Sequence, residues 1–291
     1  MKKIIISLSI IAAAAAIVIG GTIAYFSDTE TSTGNTFTAG SIDLKIDFDG
    51  YFNQVANGIP NAGHWDEKDL VAGTDKFFNF SDLKPGDFGE GTISLHVYDN
   101  DAWGKMLITN VVDTGNTCVD PETEVAADTD CYNQSVETIE ADGELRENLI
   151  FSACLDQGVT PGFQNRVGQT KVDSTEGDNI CQSYEPVVIT PGTIDTDGET
   201  HEFWGALAAY RATLDSQNIC DVTDSDGDGH ADYGVCQGIA RDGRLVGSTN
   251  YQLAVMWNLP YATGNEAQSD TLQATIQFQA VQHRNNPGQN F

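Results

Sequence analysis

The residues with the clearest chemistry form the run Asp224-Ser225-Asp226-Gly227-Asp228-Gly229-His230-Ala231-Asp232. It places carboxylates at loop positions 1, 3, 5 and 9 and a glycine at position 6, where a calcium loop turns sharply. Asp224, Asp226, Asp228 and Asp232, with the carbonyl of His230 and water, offer the hard oxygen ligands that Ca²⁺ takes. Position 12 is Val235, so the bidentate glutamate of a full EF-hand is missing. The expectation is a shorter extracellular calcium loop with a weak affinity of about 10⁻⁴ to 10⁻³ M. Asp195-Thr196-Asp197-Gly198-Glu199 is a fainter echo, read as a turn before a helix start.

Catalytic patterns are thin by comparison. The five histidines, His64, His96, His201, His230 and His283, include no HExxH, and no G-x-S-x-G elbow is present. Carboxylates are so frequent that close pairs carry no glycosidase signal. Trp65, Trp103, Trp204 and Trp257 read as core rather than as a sugar platform, because large aromatics usually serve packing. The chain is therefore expected not to be an enzyme.

Charge narrows the partners. Forty-three Asp and Glu stand against 14 Lys and Arg, a net charge of −29 over 291 residues. Such a chain can hardly assemble the basic face that a phosphate backbone requires, so nucleic acid is excluded as a partner.

The elements that position the acidic run begin with an export signal. Lys2 and Lys3 precede an apolar stretch over residues 4–19 and a small-residue site ending at Ala24. That order reads as a signal peptide over residues 1–24, cleaved between Ala24 and Tyr25. The rival, an uncleaved anchor, falls short of the ~20 residues a spanning helix needs. The mature chain is expected outside the membrane, secreted or at the cell surface. Six cysteines fit an oxidising compartment. Sequence alone does not choose among their pairings. Their adjacency favours Cys118 with Cys131, Cys154 with Cys181 and Cys220 with Cys236, each closing an acidic loop for ~3 kcal/mol in the chain-entropy account. A cysteine zinc site lacks both a CxxC and a partner histidine.

Period-two alternation over residues 41–48, 92–98, 253–259 and 271–280 predicts antiparallel strands with one wet face. Lys84-Pro85-Gly86-Asp87 predicts a type II turn. Helical spacing is read over residues 143–155 and 199–214. The fold expected is mainly β: an antiparallel jelly-roll-like sandwich with short helices and disulfide-stapled loop insertions. One domain over residues 41–291 is expected, with the insertions at about 118–250 and no internal repeat.

Gly20-Gly21-Thr22-Ile23-Ala24-Tyr25-Phe26-Ser27-Asp28 and Asn35-Thr36-Phe37-Thr38-Ala39-Gly40-Ser41-Ile42-Asp43-Leu44 resemble the start of the TasA and camelysin (CalY) family of exported matrix proteins. Phe80-Ser81-Asp82-Leu83-Lys84-Pro85-Gly86-Asp87 and residues 270–282 resemble that family's turn motif and closing strand, in the same order. The resemblance implies a jelly-roll subunit released by a SipW-type signal peptidase, which polymerises into biofilm-matrix fibres. Residues 25–40 would hold the donor strand that pairs with the sheet edge of the next subunit, with Tyr25, Phe26 and Phe37 as apolar anchors. Residues 27–36 are polar almost throughout, so backbone bonds would carry that addition. Partners would be further copies of the chain, the signal peptidase and other matrix components. A monomeric calcium-binding adhesin and a camelysin-type metallopeptidase are the alternatives.

Overall fold

A computed structural model describes residues 27–31, 42–54, 60–158, 175–194, 198–220, 236 and 238–291. The strands are β1 (Ser27–Thr31), β2 (Asp43–Phe52), β3 (Gly63–Lys68), β4 (Phe88–Tyr98), β5 (Ala102–Thr114), β6 (Ile150–Leu155), β7 (Val187–Gly192), β8 (Glu199–Glu202), β9 (Thr249–Asn258) and β10 (Thr271–Gln282). Two α-helices, α1 (Leu145–Asn148) and α2 (Phe203–Ser216), join them. The protein is mainly β, built as two antiparallel sheets in the orders β1-β10-β5-β8 and β3-β2-β4-β9-β6-β7.

The chain passes between sheets at β4 to β5 and at β9 to β10, so β4 pairs with β9 in one layer while β5 pairs with β10 in the other. Alternation carries this arrangement. On β2, Leu44, Ile46 and Phe48 are buried and Lys45, Asp47 and Asp49 lie half in solvent. Those inward residues meet Ile93, Leu95 and Val97 of β4 and Phe278 of β10 in one apolar core. The ring centroid of Phe48 lies 4.7 Å from that of Trp65 and 5.3 Å from that of Phe77, and the centroids of Trp257 and Phe80 are 4.9 Å apart. Trp103 is buried and donates Nε1–H to the Asn286 carbonyl, and Trp204 rests against Phe291. All four tryptophans serve packing.

The turn at 84–87 has the expected form. Asp87 N–H donates to the Lys84 carbonyl at 2.8 Å, and Gly86 has φ +96°. That conformation favours glycine, and Tyr261 lies against the same glycine, where a β-carbon would come within 2.1 Å of its ring.

Three expectations need correction. β4 and β9 are not wet on one face: Thr92, Ser94, His96 and Gln252 are buried along with their apolar neighbours. Ser94 donates to Gln252 at 2.5 Å, His96 meets Asp47 at 2.7 Å, and Thr92 donates to the carbonyl of Gly177, which brings the Cys154–Cys181 loop over that face. Residues 143–155 are not one helix. A single turn, α1, closes with Leu149 N–H on the Leu145 carbonyl and gives way to β6, which pairs with β9 from Ile150↔Asn258 to Leu155↔Leu253. Burial on both faces of β6 removes the alternation that would have marked it as a strand. The segment 199–214 likewise opens as β8, paired with β5, before α2 buries Phe203, Leu207, Tyr210 and Leu214.

Among the described residues no helix is long and apolar enough to cross a membrane.

Candidate functional site

Three places bear on function. The first is the outer edge of β10. Ser27–Thr31 lies antiparallel along it, from Ser27↔Val281 to Thr31↔Gln277, so the N-terminal segment occupies a sheet edge of its own chain. Tyr25, Phe26 and Phe37, named as anchors of a donor strand, lie outside the described residues, as do Ala24 and the cleavage point. β1 is the strand that composition alone would have passed over, since Ser27-Asp28-Thr29-Glu30-Thr31 has no apolar residue.

The second is the acidic loop. Asp224, Asp226, Asp228, His230 and Asp232 lie outside the described residues, but the base of their loop does not. Cys220 and Cys236 are bridged, with Cα atoms 5.6 Å apart, and both are buried. Arg211 of α2 donates Nη1–H to the carbonyls of Cys236 and Ile239, which ties the loop base to the helix. The other bridges are Cys118–Cys131 and Cys154–Cys181, so the pairing is sequential and no described cysteine is free.

The third place was not read from the sequence. Beside the Cys118–Cys131 bridge, carboxylates from four segments converge. Oxygens of Asp128, Glu140 and Glu144 all lie within 4.8 Å of one another. Glu122 flanks them, its Oε2 accepting Val119 N–H at 2.6 Å. Asp113 at the end of β5 and Asp270 just before β10 close the far side, because the β5–β10 register pairs Thr114 with Thr271. Each of these two aspartates spends one oxygen on α1: Asp113 accepts Arg146 N–H at 2.7 Å, and Asp270 accepts the N–H groups of Glu144 and Leu145 at 2.7 and 3.1 Å. Asp128 spends one on Cys131 N–H at 2.7 Å.

Most of the remaining oxygens have no partner among the described residues. Both Glu140 oxygens, Asp128 Oδ2, Glu144 Oε2, Asp113 Oδ1 and Asp270 Oδ1 are buried without a hydrogen bond. Asp128 is 0 % exposed and Glu140 4 %. Among the described residues no Lys, Arg or His forms an ion pair with any of them. Burial, and then the charge of Asp270, pushes the Glu140 carboxyl up to about 8. Burial and the Asp128 charge push Glu144 up to about 8, and burial with Asp113 beside it pushes Asp270 to about 7. No motif links these residues, since the spacing from Glu122 to Glu144 is irregular and Asp270 comes from a remote part of the chain.

Residues 1–61 match the family model described as camelysin metallo-endopeptidase, and the resemblance of the N-terminal blocks to the TasA and camelysin family holds over that stretch. No curated protein matches the chain. A zinc-peptidase centre does not fit the described residues. Neither group with metal-ligand spacing contains a histidine, and the sulfur of Cys131 in one of them is locked in a disulfide. His96 directs Nε2 to Asp47 and Nδ1 to Glu67, on opposite sides of the ring, so these carboxylates do not share one ion with it.

Proposed function

We propose that this chain is an exported structural subunit of an extracellular fibre or biofilm matrix, without catalytic activity, which polymerises by N-terminal strand addition once the signal peptide is cut after Ala24. The observation that carries this reading is the pairing of Ser27–Thr31 with the β10 edge. The same ladder made between chains would join one subunit to the next, with backbone hydrogen bonds supplying affinity and the β10 register fixing alignment. The match over residues 1–61 and three disulfides, which persist in oxidising compartments, support an exported protein. Partners are copies of the chain, the signal peptidase and other matrix components, and the loop at residues 224–232 takes Ca²⁺ at its four aspartates.

The test is electron microscopy of the protein beginning at Tyr25, with and without calcium, beside a version beginning after Thr38. Fibres from the longer form alone are expected. Monomers under every condition would replace this reading with a monomeric calcium-binding surface module on the same fold. A casein assay with chelator controls tests the peptidase alternative, and no cleavage is expected.

A further inference from the structure

We propose that the cluster of the buried Asp128 and Glu140 with the half-buried Glu144 is a binding site for a divalent cation with a preference for hard oxygen ligands, Ca²⁺, distinct from the acidic run at 224–232. Asp128 lies inside the Cys118–Cys131 loop and Glu140 and Glu144 follow it, whereas the run at 224–232 lies between Cys220 and Cys236.

Geometry comes first. Oxygens that all lie within 4.8 Å of one another can share one ion at the 2.3–2.6 Å bond lengths of calcium, whose opposite ligands stand about 5 Å apart. The site also has room made for it. A β-carbon on Gly115 would fall 2.2 Å from the Glu140 carboxyl, and one on Gly143 would fall 2.7 Å from Asp113 Oδ1. Electrostatics supplies the second argument. Both Glu140 oxygens are buried and unpartnered, and an isolated buried carboxylate is costly unless a charge compensates it. Among the described residues no side-chain cation forms an ion pair with it, and neither of its oxygens makes a hydrogen bond. A divalent ion neutralises two of them and converts orphaned acceptors into ligands.

The donor set selects the ion. Carboxylates without imidazole or thiolate suit Ca²⁺ rather than Zn²⁺, and ligands carried on loops suit the flexible shell of calcium better than the strict octahedron of Mg²⁺. The cation would tie the Cys118–Cys131 insertion to α1 and, through Asp113 and Asp270, to the end of the β5–β10 ladder.

The experiment is calorimetric titration of CaCl₂ into the chain beginning at Tyr25, in a background with Asp224→Asn, Asp226→Asn and Asp228→Asn so that the other loop is silent. One equivalent of Ca²⁺ is expected to bind, with an upward Tm shift of roughly 5–10 °C at a hundredfold excess over Kd. Glu140→Gln, which keeps shape and removes charge, is expected to abolish both. Asp128→Asn, which preserves the acceptor for Cys131 N–H, serves as the second variant if the first does not fold. No heat in the folded background, or heat that survives both substitutions, would overturn the site. The fibre assay is independent of this titration, so a failure of one is distinguishable from a failure of the other.

Discussion

Gly115 stands where a β-carbon would come within 2.2 Å of the Glu140 carboxyl. Its φ is not in the left-handed region, so alanine at this position meets no backbone objection, only the side chain of Glu140. Gly115→Ala is therefore expected to displace that buried side chain and to lower stability by about 1–3 kcal/mol, as overpacking does. Its affinity for Ca²⁺ is expected to fall on the order of tenfold or more, as when the groups that orient metal ligands are disturbed. Titration of the variant beside the parent, both with the 224–228 aspartates neutralised, checks this.

The β1–β10 ladder makes a prediction about two adjacent prolines. Successive residues of a strand point their N–H groups to opposite sides, so replacing both Asp28 and Thr29 by proline removes at least one ladder bond whichever side faces β10. Asp28→Pro with Thr29→Pro is expected to abolish fibres while leaving the circular dichroism of the sandwich unchanged. Fibres of normal appearance from this variant would exclude pairing through Ser27–Thr31.

Cys154 and Cys181 are 27 residues apart and anchor the loop that covers the outer face of β4. Replacing both by serine is expected to lower stability by about 3–4 kcal/mol in the chain-entropy account. Because the loop also hides Thr92 and the strand residues beside it, hydrogen exchange of β4 and β9 is expected to rise in the same variant. Denaturant melts and exchange mass spectrometry measure the two effects separately.

Glu185 gives the pH dependence a sign. Its carboxyl is buried and accepts the N–H groups of Gln157 and Gln182, each at 2.8 Å. Burial pushes it up to about 8 against those bonds, with Asp156 adding to the rise. The folded chain thus holds a proton that the unfolded chain releases near 4.5, so stability is full below that value and is lost as pH rises through about 8. The loss is at most about 1.4 kcal/mol per pH unit for one proton. In Glu185→Gln this component vanishes, and the difference in Tm between variant and parent is expected to grow from pH 5 to pH 8.

Legibility in the sequence followed the number of faces a segment buries. β2 and β10 each keep residues at the solvent, so alternation marked both, and their observed spans differ from the expected ones by a few residues at the ends. β6 buries residues on both faces and borders a helical turn, so Leu145, Leu149 and Ala153 mimic a helix. β8 is four residues long and polar, and only its pairing with Lys105 to Ile108 makes it a strand. The Asp87 turn was readable because proline presets its own φ and glycine takes the positive φ that the next position needs without steric cost. The carboxylate cluster was not, because it is made by the β5–β10 register and the Cys118–Cys131 bridge, which bring Asp113, Asp128, Glu140 and Asp270 together from segments that share no spacing rule.

Every disulfide joins a cysteine to the next one along the chain. A polypeptide that emerges into an oxidising space N-terminus first presents Cys118 and Cys131 together before Cys154 arrives, and Cys181 before Cys220. The native partner of each cysteine is thus the neighbour that arrives with it, so oxidation in order of arrival leads to the native pairing. Each stapled loop is also a closed cassette whose two ends are held together by one bridge.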